Sequence, residues 1–362
     1  MPSADRIRQA RLRAGDHVEV RSREEILATL DSRGMLDNQP FMPEMLEFCG
    51  RRFVVDKVSH KTCDTIHRTG IRRMDSTVHL QDLRCDGSAH GGCQAGCLLY
   101  WKEAWLKPVG ARTGQSPLAG DAAPAGASSQ FDLAALQRAT MQDPGHDGEI
   151  RYRCQVTEVL RASRPCAWWN PYQYVLDVVS GNWTLRHVVR VLSLAALRRI
   201  IPLGVGYRVL IALYDRLARR FGMHPYREVE NQWGPIPKGS PTPESTLALQ
   251  AGDWIQVRPR AEILATLNTS ARNRGIHFDP EMVEYCGGKF QVRAVVRRLI
   301  EEGTGRMLEM KNPCIALEGA VCKSEYSDRR YLCPRAIIPY WRPVWLEKVA
   351  PGSDEPGSGV PR

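Results

Sequence analysis

Apolar and polar residues alternate through HVEV, starting at His17, which predicts a strand with one buried face. The pattern turns helical in SREEILATL from Ser22, where Ser22 followed by Glu25 forms a capping box for a short helix. Pro43 is placed to open a second short helix that stops at Gly50. RRFVVDKVSHKTCDTI from Arg51 then reads as a long strand, a turn centred on Gly70 follows, and STVHLQDL from Ser76 returns. The same order recurs later in the chain. GDHVEVRSREEILATL at Gly15 matches GDWIQVRPRAEILATL at Gly252, and FMPEMLEFCGRRF at Phe41 matches FDPEMVEYCGGKF at Phe278, both at an offset of 237. YWKEAWLKPV at Tyr100 matches YWRPVWLEKV at Tyr340, where the offset is 240. A repeat of about 100 residues is a domain duplication, since solenoid repeats are much shorter.

The predicted fold is therefore mainly β with an α insert: two tandem, pseudo-symmetric, small β-barrel-like domains at 12–110 and 249–350, with a helical segment at 149–233. A flexible Gly/Ala/Ser-rich linker is expected at 111–148 and a Pro-rich linker at 234–248, with disordered ends at 1–11 and 351–362. In the middle segment, Thr184 to Ile200 and Gly206 to Gly222 have helical spacing and are broken at Pro202. They are expected to form a hairpin with its apolar faces packed on protein and its arginines outside. An interfacial pair on an anionic membrane is the alternative.

The Gly-Asp-His-Val-Glu-Val opening at Gly15 resembles the first strand of small Src-homology-type barrels. Phe48-Cys49-Gly50, HKTCDT at His60, CDGSAHGGCQAGC at Cys85 and WKEAWL at Trp101 together resemble a bacterial family of duplicated, cysteine-containing domains. That resemblance implies no particular activity.

Cysteine changes the picture more than charge does. The formal net charge of +10 leaves nucleic acid or an anionic membrane surface open as partners, although another protein is the expected one. No leader-like or membrane-spanning apolar run is present, so a cytoplasmic protein is expected, with peripheral membrane association open. In that setting, eleven cysteines predict reduced thiols or metal ligands.

The loop from Cys85 to Cys97 holds Cys85, His90, Cys93 and Cys97 among small residues that let the backbone wrap an ion. Cys93 aligns with Cys333 and Cys85 with Cys322, whereas Cys63 and Cys97 have no cysteine counterpart. A hairpin centred on Gly70 would place residue 63 opposite residue 77, whose equivalent is Cys314. The expected sites are thus Cys63, Cys85, Cys93 and Cys97 with His90, and Cys314, Cys322 and Cys333. Zinc is the expected ion, with an iron–sulfur cluster as the alternative. Cys49, Cys286, Cys154 and Cys166 read as packing residues. The chain lacks P-loop, GxGxxG and HExxH motifs. The expected role is binding or scaffolding in a larger assembly or biosynthetic pathway. A metalloenzyme with substrate between the repeats near His90 is the competing reading.

Overall fold

A computed structural model describes residues 12–110, 133–142, 148–204 and 206–350. The ends 1–11 and 351–362 and most of the 111–148 linker lie outside these. The described chain is mainly antiparallel strand, with a few helices. It divides into two compact units. The first comprises the chain up to Val188 with Arg298–Leu308 and Leu332–Arg335; the second comprises Val189–Arg297, Glu309–Tyr331 and the chain from Ala336.

In the first unit a five-stranded sheet runs in the order Trp101–Lys102, Thr77–Leu80, Arg52–Val58, His17–Val20, Leu106–Pro108. His17 pairs with Val54 and Val20 with Leu106. Val18 and Val20 are fully buried while His17 is exposed, as the alternation requires. The capping box forms, with the Glu25 amide donating to Ser22 Oγ (3.3 Å) and the Ser22 amide to Glu25 Oε2 (2.9 Å). A cap of this kind stabilises a helix by about 1 kcal/mol. In the second unit Trp254–Val257 lies between Lys289–Ile300 and Leu346–Lys348. There Trp254 pairs with Gln291 and Val257 with Leu346, the registers of the first sheet carried along the repeat.

Aromatic packing also matches. Trp105 meets Phe41 edge-on at 5.1 Å and donates to Thr29 Oγ1 at 3.0 Å; Trp345 meets Phe278 at 5.7 Å and donates to Thr266 Oγ1 at 2.9 Å. All four rings are buried, and an edge-to-face pair adds about 1 kcal/mol to the burial of its area.

Two expectations are corrected. Part of the 111–148 linker is ordered: Leu133–Ala139 is a helix whose Leu136 enters the first core, and Thr140 donates to the Ala89 carbonyl at 2.8 Å. The hairpin after Lys61 is not centred on Gly70. Cys63 pairs with Ile71 and Lys61 with Arg73, so the centre falls at His67. Asp64 sets this turn. Its Oδ1 accepts the amides of Ile66 (3.0 Å) and His67 (2.8 Å), and its Oδ2 accepts the Thr69 hydroxyl (2.6 Å). Thr77 instead lies on the strand beside Trp101–Lys102, and its carbonyl accepts the Ser59 amide at 2.8 Å. The juxtaposition of positions 63 and 77 therefore does not occur.

The middle segment carries the helices Pro171–Val179, Leu185–Ile200, Tyr207–Phe221 and Tyr226–Glu230. The second and third are separated by a 3-10 turn containing Pro202 and by Gly204 at φ +85°. Among the described residues no helix is long and apolar enough to cross a membrane.

Candidate metal centre

The loop from Cys85 to Cys97 is closed at its neck, where the Cys85 amide donates to the Cys97 carbonyl at 2.8 Å. Inside it the chain doubles back on Gly87, whose carbonyl accepts the amides of His90 (3.1 Å) and Gly92 (2.9 Å). Gly87 sits at φ +76°, and a β-carbon there would lie 2.0 Å from the Cys93 carbonyl oxygen, so only glycine fits. This fold-back turns His90 inward, leaving it 1% exposed.

Glu44 enters from a different element, the first turn of the 3-10 helix Pro43–Phe48. Its Oε1 lies 3.5 Å from Cys85 Sγ and 3.7 Å from His90 Nδ1, while His90 Nε2 lies 3.4 Å from Cys85 Sγ. Tetrahedral zinc, with ligands at about 2.0–2.3 Å, separates its donor atoms by about 3.5 Å. Among the described residues, Glu44, Cys85 and His90 are the one group of three or more metal-ligating side chains within 4.8 Å of one another. Glu44 Oε2 and His90 Nδ1 are buried and have no hydrogen-bond partner. Leaving such groups unmatched costs about 1–3 kcal/mol each.

The electrostatics agree with the geometry. Burial pushes Glu44 up to about 7 and His90 down to about 4, so His90 is neutral and keeps a lone pair for an ion. Burial, then the Glu44 carboxylate, drives the Cys85 thiol far above its ordinary range. That is opposite to the electropositive setting that activates a catalytic thiolate, and a cation held at this point would reverse it.

Of the other expected ligands, Cys93 and Cys97 line the same small cavity of about 30 Å³ as Cys85 and His90. Cys93 Sγ accepts the Ile300 amide at 3.4 Å. Cys97 is near enough that its charge would disfavour a Cys85 thiolate, and burial holds its own thiol at about 11. Cys63 does not line the cavity. It sits in the strand Lys61–Cys63, where its carbonyl accepts from Arg335 (3.4 Å), so the expected four-sulfur quartet is not assembled. Cys154, expected only to pack, does line the cavity, and burial pushes its thiol up to about 12.

In the second repeat the expected trio is also not brought together as a ligand group. Cys314 is buried with Sγ 4.0 Å from the Asn312 carbonyl oxygen, Cys322 Sγ lies 3.4 Å from Ser324 Oγ, and Cys333 belongs to the first unit.

The decisive residue was unremarked in the sequence. Glu44 and Glu281 occupy the same place in the matched blocks FMPEM and FDPEM, and the one available signal was a carboxylate kept in both copies beside buried apolar positions. The three positions of the first centre correspond, at the offset of 237, to Glu281, Cys322 and Ser327. Here a hydroxyl replaces the imidazole, and the carboxylate is satisfied by protein. Glu281 accepts the amides of Tyr326 (2.6 Å), Ser327 (2.8 Å) and Glu325 (3.2 Å) and the Ser327 hydroxyl (3.0 Å).

Comparison with protein-family models and with curated proteins finds no match.

Proposed function

We propose that this chain binds one zinc ion, held by Glu44, Cys85 and His90, with Cys97, which lines the same cavity but stands outside that 4.8 Å group, closing on the ion as the fourth donor, and that it serves as a binding or scaffold protein built from two related small β domains. The observation that carries the reading is the contrast between the repeats. In the first, a buried carboxylate and imidazole face a thiol with polar atoms left unmatched. In the second, the equivalent carboxylate has four protein donors. A closed set of four donors is the structural kind of zinc site, and a small domain gains folding free energy from it. The matched strand registers and Trp–Thr hydrogen bonds support descent of both units from one domain.

The test is elemental analysis of the full chain purified without added metal, alongside Cys85→Ser. One zinc per chain, lost in the variant together with thermal stability, is the expected result. No zinc, or zinc retained by Cys85→Ser, overturns the site. Two zinc ions per chain would mean that the second repeat is loaded as well, contrary to the reading.

A further inference from the structure

The second unit contains a surface that its own fold leaves uncovered. Six large hydrophobic residues between 189 and 213 are exposed: Val189, Ile200, Leu203, Tyr207, Val209 and Leu213. Leu203 and Val209 are 74% and 73% exposed, more than any other large apolar residue described. Scattered single hydrophobics on a surface are ordinary, whereas five between Ile200 and Leu213, around one helix–turn–helix tip, are not.

The helix Tyr207–Phe221 shows how this arises. Tyr214 and Ala218, a turn apart on one side, are buried. Val209, Leu213, Arg216 and Arg220 are spaced by four, three and four residues, so they form one stripe on the other side. That stripe is apolar at the tip and basic further back, and Arg208 beside it is exposed too. The helix's single carboxylate, Asp215, accepts the Tyr226 amide at 2.8 Å and falls outside this stripe by its helical spacing.

We infer that this tip docks on an anionic lipid bilayer. Leu203 and Val209 would enter the acyl boundary, Tyr207 would sit at the headgroups, and Arg208, Arg216 and Arg220 would meet the phosphates. Arg216 follows Val209 by seven residues, about 10 Å along the axis, so insertion of the tip leaves this charge behind the apolar residues. Charge complementarity selects the lipid surface as occupant, since basic side chains border the apolar tip and none of the described residues from Leu203 to Leu213 is acidic. Among the described residues no helix is able to span a bilayer, and the contact proposed here is a peripheral one. The inference is independent of the metal reading, which concerns the other unit.

The test is co-sedimentation of the full chain with phosphatidylcholine vesicles and with vesicles that also contain phosphatidylglycerol. Binding is expected to the anionic vesicles and to weaken with salt. The double variant Leu203→Asp, Val209→Asp should weaken it at least about tenfold, the loss expected when two buried aliphatic side chains are withdrawn. Replacing Arg208, Arg216 and Arg220 by Gln should cost roughly fivefold per position. All five positions are exposed, so circular dichroism and zinc content should not change. Absence of binding to anionic vesicles, or binding unaltered in the aspartate variant, overturns the proposal.

Discussion

Gly87 and His90 show how much of the centre depends on single positions. The loop can turn back only if residue 87 adopts a positive φ with no β-carbon, because the Cys93 carbonyl occupies that space. Gly87→Ala should therefore abolish zinc retention and lower the melting temperature of the first unit, although it removes no ligand. Retention of zinc by this variant would show that the loop tolerates another path. Cys97→Ser should weaken zinc binding by at least about tenfold, whereas Cys63→Ser should leave it unchanged, because Cys63 does not line the cavity. Competition with a zinc-chelating dye reads both. His79 offers a pH test away from the ligands. It is fully buried and donates from Nδ1 to the Leu99 carbonyl at 3.0 Å, and burial lowers its pKa from 6.5 to about 4. The unfolded chain therefore takes up this proton at a higher pH than the folded one. The neutral ring's contribution is complete above pH 6.5 and is lost as pH falls towards 4. It amounts to about 3 kcal/mol, so His79→Phe should flatten the acid limb of the stability curve between those values.

At the scale of elements, the helix Pro171–Val179 is tied to the strand Lys61–Cys63 by a buried ion pair, with Lys61 Nζ 2.6 Å from Asp177 Oδ2 and His60 Nε2 3.2 Å from Oδ1. Removing one partner strands the other, so Asp177→Asn should destabilise the first unit by about 3–5 kcal/mol in denaturant titration. Lys61→Met combined with Asp177→Leu should recover most of that loss, and no recovery would assign Asp177 another role. The strands, the capping box and the break at Pro202 were legible because each follows from local chemistry: alternation, an N-cap, a missing amide donor. The hairpin turn was not legible. Gly70 marks a turn by composition, but Asp64 decides where the turn closes, through three side-chain hydrogen bonds that periodicity does not encode. That three-residue displacement of the centre is why Cys63, plausible by spacing, is absent from the cavity. Glu44 escaped for a related reason: a ligand delivered from a separate element leaves no mark in the spacing of the cysteine loop.

Over the whole molecule, the two matched stretches of sequence share their strand registers and differ in their chemistry. Paired registers, the buried Trp105 and Trp345 with their threonine acceptors, and the two buried carboxylates persist across the repeat. The imidazole does not: position 327 is serine where the first copy has His90. A simple expectation would be that Ser327→His restores a second metal site. The hydrogen bonds argue otherwise. Glu281 is held by the amides of Glu325, Tyr326 and Ser327, which belong to the backbone and remain after the substitution. Its oxygens would have to leave those donors before reaching an ion, and each hydrogen bond to a charged group given up costs about 1.5–3 kcal/mol. Residue 337, aligned with Cys97, is isoleucine, so the fourth donor is missing too. Ser327→His alone should therefore leave the chain at one zinc, while Ser327→His with Ile337→Cys should begin to take up a second at raised metal concentration. Elemental analysis after dialysis against graded zinc distinguishes the two. A second equivalent bound tightly by the single variant would mean that Glu281 is freer than its four donors imply, and that the contrast between the repeats rests on the imidazole alone.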